Sequence, residues 1–408
     1  MADNKQNKRP NVPPLRFPEF TEQWERFKVS DMLDFYSTNS LSWEQLEFTD
    51  GELRNLHYGM IHVGLPTLLN LKESKLPTIK EGNEPKSYTL CVNGDVAFAD
   101  ASEDTNDVAK AIELVETDGQ KVVFGLHTIH GRDNKGLTEA GFKGYLFSSK
   151  VFHDQIKRIA QGTKVFSISS KNFSECFVGL PSKAEQSKIA RLLSLLDRRI
   201  TVQSKLIEDL QQLKSAIVER LYCQPDPNGR IGDFVVQISK RNHGNNNYSV
   251  LSVNNRLGFI EQSEQFEDRS VASDDTSNYK VVSRDDFAYN PARINVGSIA
   301  RLTSFENGIV SPMYICFHTK KQLLPQYLEH FFDTCYFYYE MQKRLEGSVR
   351  LCLSWEGLCN ITIAVPPVER QEKVGKRISR IADKISLEER HLDLLKLQKQ
   401  YLLQAMFI

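Results

Sequence analysis

The sequence lacks the short motifs that mark most enzyme active sites. Its 408 residues contain no GxxxxGK[ST] phosphate loop, no GxGxxG after a predicted strand and no Gly-x-Ser-x-Gly elbow. Asn290-Pro291-Ala292-Arg293 begins like the Asp/Asn-Pro-Pro-aromatic motif of amino-methyltransferases but departs from it at the third and fourth positions. An enzyme with scattered site residues stays open as an alternative, because such a site leaves no motif.

Cysteine and histidine are too dispersed to predict a metal site or a disulfide framework. The seven cysteines show no CxxC spacing, which suits a reducing cytoplasm. His127 and His130 lie three positions apart without a cysteine or carboxylate cluster beside them, so no metal is predicted. No run of eighteen apolar residues exists, and no membrane span is expected. Residues 1–15 show no signal or transit peptide pattern and are expected to form a disordered lead.

An excess of basic charge, typical of nucleic-acid binders, is absent as well. The chain has 52 basic and 52 acidic side chains, and residues 16–180 alone hold 18 basic and 24 acidic ones. Any contact with nucleic acid must therefore use a local basic face.

Two similar stretches, residues 181–222 and 366–407, predict two long helices. Each opens with proline and carries glutamine five residues later. From 189 to 221 and from 374 to 406, eight of ten positions at alternating spacings of three and four are apolar. This period predicts two rods of roughly 57 Å that pack on each other as an antiparallel coiled coil. A helix lying on a globular core is the alternative.

The residues predicted to form the helix–helix seam are leucine and isoleucine. They are Ile189, Leu193, Leu196, Ile200, Ile207 and Leu210 on the first helix, and Ile378, Ile381, Ile385, Leu392 and Leu395 on the second.

The regions before the two helices repeat as well. At the same offset of 185 positions, Gly162 matches Gly347 and Ser169 matches Ser354. We therefore predict a tandem duplication of one mixed α/β (α+β) unit. The boundaries are a lead at 1–15, a first head at 16–180, a helix at 181–224, a second head at 225–365 and a helix at 366–408, with pseudo-two-fold symmetry. Segment 143–160 is predicted to be one helix of the first head and 326–345 one helix of the second.

Five further stretches stand out along the chain. They are Leu15-Arg16-Phe17-Pro18-Glu19-Phe20 before Trp24, Leu180-Pro181 through Glu185-Gln186, Ala364-Val365-Pro366-Pro367 through Gln371, Phe287-Ala288-Tyr289-Asn290-Pro291-Ala292-Arg293, and Gly308-Ile309-Val310-Ser311-Pro312. With the duplicated order, these stretches resemble the DNA-specificity subunit of type I restriction–modification systems. The resemblance spans nearly the whole chain from about residue 15.

The resemblance implies a non-catalytic, cytoplasmic protein whose two heads are target-recognition domains for a split, asymmetric duplex DNA sequence. It implies that the paired helices dock two methyltransferase subunits and that restriction subunits, which translocate and cut, join them. S-adenosylmethionine, ATP and magnesium then belong to the partner subunits, and this chain holds no cofactor. The alternative is an adaptor whose helices and heads bind other proteins.

The side chains predicted to contact DNA lie in polar loops of the two heads. They are Lys240, Arg241, Asn242, His243, Asn245, Arg293 and Arg301 in the second head, and Lys72, Lys75, Lys80, Lys86 and Arg132 in the first. For each of them, a solvated surface residue is the alternative. The first head has Ala99-Asp100-Ala101 where the second has Asn290-Pro291-Ala292-Arg293, so the two heads need not use the same positions.

Overall fold

The computed structural model describes residues 11–223, 226–243, 248–255, 257–265, 275–347 and 350–408. The chain divides into two compact units, of which one comprises the residues up to 203 with 391–408 and the other comprises 204–390. Each unit contains one head and a part of both long helices.

The first head consists of short strands and helices. Its strands are β1 Glu25–Lys28, β2 Asp34–Tyr36, β3 Leu46–Glu47, β4 Leu53–Leu56, β5 Leu68–Asn70, β6 Thr78–Ile79, β7 Val96–Ala99, β8 Ala101–Ser102, β9 Ala111–Glu116, β10 Lys121–Phe124, β11 Thr128–Arg132, β12 Phe166–Ser167 and β13 Phe177–Leu180. Its helices are α1 Val29–Met32, α2 Tyr58–His62, α3 Phe142–Phe147, α4 Lys150–Ile159 and α5 Ser170–Ser174, with a 3-10 turn at Trp43–Gln45. The first long helix, α6, is Lys183–Cys223.

The second head repeats this plan. Its strands are β14 Gly229–Arg230, β15 Val235–Ile238, β16 Val250–Asn254, β17 Gly258–Glu261, β18 Lys280–Ser283, β19 Phe287–Tyr289, β20 Ile299–Arg301, β21 Asn307–Val310, β22 Ile315–Thr319, β23 Leu345–Glu346, β24 Cys352–Leu353 and β25 Thr362–Ile363. Its helices are α7 Ile231–Phe234, α8 Gln262–Gln265, α9 Pro325–Phe331, α10 Cys335–Gln342 and α11 Trp355–Cys359, with a 3-10 turn at Ile294–Val296. The second long helix, α12, is Val368–Ala405.

Both heads use the same strand neighbours. The order β2-β11-β7-β9 in the first head corresponds to β15-β22-β19-β20 in the second. The parallel pair of β4 with β10 corresponds to the parallel pair of β16 with β21. A second sheet thus stands beside the first in each head, and the predicted mixed α/β fold is confirmed.

The strand at the centre of each first sheet is buried on both faces. In β7 the bulky Val96 and Phe98 belong to one apolar core, whereas the small Ala97 and Ala99 belong to another. In β19 the bulky Phe287 and Tyr289 likewise belong to one apolar core, and the small Ala288 belongs to another. A strand with two buried faces reads as a continuous apolar run rather than as an alternation.

The glutamine near the start of each long helix ties the helix to its head by the same three hydrogen bonds. Gln186 Nε2 donates to the carbonyls of Leu137 (3.1 Å) and Pro181 (3.0 Å), and its Oε1 accepts from the Glu139 amide (2.9 Å). Gln371 Nε2 donates to Gln322 (2.7 Å) and Pro366 (2.7 Å), and its Oε1 accepts from the Leu324 amide (2.8 Å). All partners match at an offset of 185, so the duplication extends to individual hydrogen bonds.

Segments of the two long helices pack antiparallel within each unit. In the unit of the second head, Gln211 of α6 donates to Glu389 of α12 over 3.4 Å, and Val218 and Tyr222 share a core with Val374 and Ile378. In the unit of the first head, Lys399 Nζ lies 2.6 Å from Asp197 Oδ1. Of the seam residues, Ile189, Leu193, Leu196, Ile207, Ile378, Ile385 and Leu395 are buried, and Ile200, Leu210, Ile381 and Leu392 are half-buried.

The end of α12 completes the core of the first head's unit. The ring of Phe407 lies 6.4 Å from Trp24 and 5.9 Å from Phe142, between ring centroids. Leu15 donates its amide to Ala405, and Asn11 accepts the amide of Trp24. Residues 11–15 are therefore ordered against this core, contrary to the expected disordered lead, of which residues 1–10 lie outside the described residues.

Two predicted helices are each interrupted by a turn. Segment 143–160 forms α3 and α4, and segment 326–345 forms α9 and α10. Ser149 caps α4 by accepting the amide of Phe152, and Thr334 caps α10 by accepting the amide of Phe337. A side chain that satisfies a free amide starts a new helix, and the apolar spacing does not reveal this break.

None of the helices in the described parts of the chain combines the length and the apolar character needed to cross a bilayer.

Candidate nucleic-acid interface

The second head has a polar cleft where several strands end. The cleft has a volume of about 700 Å³ and is lined by Ser252, Val253, Asn254, Asn255, Gln262, Tyr279, Asn290, Ala292, Arg293, Val296, Ser298, Ser311, Met313, Tyr314 and Arg350. Parallel strands β16 and β21 both end at this edge, and Asn290 directly follows β19. The predicted Arg293 lies here, whereas Asn254, Asn255, Gln262 and Arg350 were missed by the sequence analysis.

The lining offers the functional groups that read and grip duplex DNA. Arg293 and Arg350 are exposed cations, and Asn255 is an exposed amide. Gln262 Oε1 is buried and has no hydrogen-bond partner among the described residues. Amides pair with base edges and guanidinium groups with phosphates or guanine, so this cleft can perform both tasks.

Asn290 is held in a defined orientation at the cleft. Its Oδ1 accepts the Ala292 amide over 3.0 Å, and its Nδ2 lies 3.7 Å from the sulfur of Met313. Met313 and Val296 expose apolar surface beside it. Apolar side chains of this kind contact thymine methyl groups in DNA complexes.

The matching place in the first head can be found from the strand register. Phe124 lies opposite Leu56 there, and Val310 lies opposite Leu251 in the second head. His127 follows Phe124 by three residues, just as Met313 follows Val310. Ile129 pairs with Phe98 in the first head as Ile315 pairs with Tyr289 in the second, so Asp100 matches Pro291. Because Leu56 matches Leu251, Tyr58 matches Val253.

The first head carries histidines and aromatic rings at this place. Ring centroids lie 4.5 Å apart for Trp43 and His57, 4.6 Å for His57 and Tyr58, and 5.2 Å for Tyr58 and His127. His127 Nδ1 lies 3.2 Å from Asp100 Oδ1. Burial lowers the pKa of His57, and the nearby His127 lowers it further. The sequence signal that could have revealed this site is a polar residue placed directly after an apolar strand.

The lysines predicted in the first head lie elsewhere on its surface. Lys72 and Lys75 are exposed at a separate cavity of about 340 Å³, and Lys72 pairs with Glu116 over 3.5 Å. Lys80 donates to the Glu44 carbonyl over 2.6 Å, and Lys86 is exposed. Of the four, Lys72 and Lys75 line one cavity, and Lys80 binds next to Trp43, the ring that packs on His57.

The residues predicted at 240–245 of the second head differ in exposure, and the side chain of Arg241 is hydrogen-bonded to a neighbouring segment. Lys240, Arg241 and His243 are exposed, and Arg241 donates to the Asn278 side chain over 2.7 Å. Asn242 is buried, so its side chain is not presented at the surface, either for the predicted DNA contact or as a solvated residue. Asn245 lies outside the described residues.

Arg132 is engaged inside the first head. Its Nε and one terminal nitrogen each donate over 2.8 Å to Asp95, and the group stacks 4.7 Å above the Tyr36 ring. Burial by itself would raise the pKa of Asp95, but hydrogen bonds from Arg132 and His130 outweigh it and lower the pKa. Arg132 therefore stabilises a buried carboxylate, and this geometry gives no support to the predicted DNA contact.

Arg301 takes part in a charge-reversed version of an ion pair found in the first head. Glu113 of β9 lies 3.1 Å from Lys143 of α3, whereas Arg301 of β20 lies 2.8 Å from Glu329 of α9. The register of β7 with β9 and of β19 with β20 makes Glu113 and Arg301 equivalent positions. A second bond, to Asp285 over 2.8 Å, completes the engagement of Arg301 within the head. This geometry gives no support to the predicted DNA contact of Arg301.

One group of buried side chains has donor types that could hold a metal. The ligand atoms of Cys91, Asp95 and His130 lie within 4.8 Å of one another. Both oxygens of Asp95 already accept hydrogen bonds from Arg132, and a cation would stand beside this guanidinium. The arrangement fits an internal hydrogen-bond network better than a metal site.

Comparison with known proteins agrees with the architecture. No protein-family model matches the chain. A protein named as the MjaX type I restriction enzyme specificity subunit of Methanocaldococcus jannaschii is 21% identical over 433 residues, covering 98% of this chain and 96% of that protein. The S subunit of a type I restriction–modification system from M. genitalium superposes with a TM-score of 0.57 at 14% identity, covering 97% of this chain and 99% of that chain.

A further solved structure comes from work on complex assembly and conformational transition of the type I R-M system. It superposes with a TM-score of 0.58 at 14% identity, covering 96% of this chain and 98% of that chain. The resemblance inferred from the residues is therefore confirmed, and the chain is similar along nearly its whole length to the specificity subunits of type I restriction–modification systems.

Proposed function

We propose that this chain is the specificity subunit of a type I restriction–modification complex and recognises a bipartite, asymmetric DNA target, one half with each head. The observation that carries this proposal is that the two heads share one strand order but carry different side chains at the equivalent strand ends. Amides and guanidinium groups line the strand ends of the second head, whereas histidines, aromatic rings and a carboxylate line those of the first. Different base-edge chemistry on the two heads suits two half-sites of different sequence.

Affinity in this proposal comes from cations outside the two base-reading surfaces. Lys72, Lys75 and Lys86 in the first head and Lys240 and Arg241 in the second are exposed. Phosphate contacts by such side chains set register without reading sequence, and they make binding dependent on salt.

The long helices present apolar side chains to solvent on the faces away from the seam. In the unit of the first head these are Leu195, Val202, Leu394, Leu397 and Tyr401, and in the unit of the second head Leu206, Leu213 and Leu387. Exposed apolar side chains that recur along the long helices offer surface for a protein interface. Two methyltransferase subunits are the proposed occupants, and restriction subunits complete the complex.

The chain itself is proposed to be non-catalytic and to act in the cytoplasm. S-adenosylmethionine, ATP and magnesium are assigned to the partner subunits, since the chain shows none of the motifs that bind phosphates or transfer methyl groups. Its contribution is the positioning of the methyltransferases on a chosen sequence.

An exchange of heads tests this function directly. Residues 16–180 are replaced by the corresponding head of a relative, and the methylated sequence is determined in a host that also carries the methyltransferase subunit. We expect one half of the methylated sequence to change and the other half to stay. A change in both halves, or methylation without a defined sequence, would contradict the proposal.

A further inference from the structure

At the equivalent strand ends, two positions carry ionisable side chains in the first head and side chains that cannot ionise in the second. Asp100 and His127 stand in the first head where the register places Pro291 and Met313 in the second. A difference confined to such positions changes the chemistry of the surface while the scaffold stays the same.

The geometry holds the Asp100 carboxylate in one orientation. His127 adopts a left-handed backbone with φ of 55°, a conformation that is uncommon for residues other than glycine. The Asp100 amide donates to the His127 carbonyl over 3.1 Å, while the His127 ring lies 3.2 Å from Oδ1. The ring also packs edge-on against Tyr58 at 5.2 Å. Main chain and side chain together thus tie the two residues to each other.

The second oxygen of this carboxylate is available to a ligand. Asp100 keeps 31% of its side chain exposed, and within the described residues its Oδ2 has no hydrogen-bond partner. Partial burial raises the pKa of Asp100, although His127 opposes the shift. On the proposed DNA-facing surface, phosphates would repel this carboxylate, whereas an amino group on a base edge can donate to its second oxygen.

We propose that Asp100 reads the N4 amino group of a cytosine in the half-site of the first head, and that His127 is the positioning residue that aims the carboxylate. The inference rests on the proposed function. In the major groove a carboxylate accepts from cytosine N4, whereas guanine and thymine offer only acceptors or a methyl group, and adenine places its N7 acceptor beside the N6 amino group, where it repels a carboxylate. Tyr58 packs on His127 beside this contact, and His57 and Trp43 continue the row of rings away from it.

The atom-level test uses DNA in which each cytosine of the methylated sequence is replaced in turn by N4-methylcytosine. The probe exchanges the hydrogen that points into the groove for a methyl group. Binding of the complete methyltransferase complex is measured at one salt concentration. We expect one cytosine of the first head's half-site at which the modification weakens binding about tenfold or more, and the variant Asp100→Ala to bind both DNAs equally.

Variants separate reading from folding. Asp100→Ala should relax the requirement for cytosine at that one position, and Asp100→Asn should shift it toward adenine, which an asparagine amide recognises. His127→Gln, which can still donate to the carboxylate, should preserve the cytosine preference better than His127→Ala. Met313→Ala, at the equivalent register position of the second head, is the matched comparison: any change of sequence preference should fall in the second half-site, and the cytosine preference of the first should stay.

The possible outcomes distinguish this inference from the function on which it rests. If the wild-type complex binds a defined split sequence but no cytosine of the first half-site responds to N4-methylation, the role of Asp100 is refuted. The same holds if Asp100→Ala keeps the wild-type cytosine preference. If no defined sequence is bound at all, the proposed function fails instead.

Discussion

The buried ion pair of the first head leads to a sharp prediction about stability. Glu113 and Lys143 have side chains that are 0% and 4% exposed, and Glu113 also accepts the amides of Gly141 (2.9 Å) and Gly144 (2.8 Å) at the start of α3. Glu113→Ala would leave Lys143 as an unpaired buried charge and both amides without an acceptor. We expect a loss of about 3–5 kcal/mol, as when one partner of a buried pair is removed.

The equivalent position of the second head supplies the matched control. Arg301 is 17% exposed, and its partners Asp285 and Glu329 are 50% and 33% exposed, so water screens both pairs. Arg301→Ala should therefore destabilise its head by only about 1 kcal/mol. Because Glu113 and Arg301 occupy equivalent positions, the difference between the two losses of stability measures the effect of burial on the ion pair.

Amide hydrogen exchange followed by mass spectrometry can measure both heads in one chain. A loss of 3–5 kcal/mol corresponds to exchange that is faster by roughly two to three and a half powers of ten in the protected strands of the first head. Peptides of the second head should stay unchanged in Glu113→Ala. If exchange in the first head rises less than about tenfold, the pair is not held in a dry environment and the reasoning is wrong.

Three further predictions concern the seam, the repeated glutamines and pH. Ile385→Asp places a charge in the buried seam and should cost about 3–5 kcal/mol, whereas Leu387→Asp on the exposed face should change the melting temperature little; equal effects in thermal melts would mean that the seam is not buried. Gln186→Ala and Gln371→Ala should each destabilise their own unit by about 1–3 kcal/mol in denaturant melts, because each removes three equivalent hydrogen bonds. A loss of stability in only one of the two units would contradict the structural equivalence. Asp95 has a lowered pKa in the folded chain, so its stabilising effect is present above its ordinary pKa of about 3.9 and is lost as pH falls through the folded value. Asp95→Asn should therefore be less stable than wild type at pH 7, and the difference should shrink below about pH 4; a constant difference would disprove the linkage.

The interrupted helices show where sequence patterns reach their limit. Apolar spacing continues across Ser148 and Ser149, yet α3 ends and α4 begins there because Ser149 accepts the amide of Phe152. The choice between continuing one helix and capping a second depends on packing against the sheet. Apolar periodicity indicates which face of a helix is buried, but it does not indicate where one helix ends and the next begins.

The sequence by itself determined the duplication, the two long helices and the mixed α/β class, because repeated glutamines, glycines and apolar positions leave a direct record along the chain. Only the tertiary structure decided which polar residues meet. It placed Arg132 on Asp95 and Arg301 on Glu329, and it brought Asp100 to His127 from different strands. The physical reason is that apolar periodicity is a local property of each segment, whereas the partner of a charged side chain depends on strand register across the sheet.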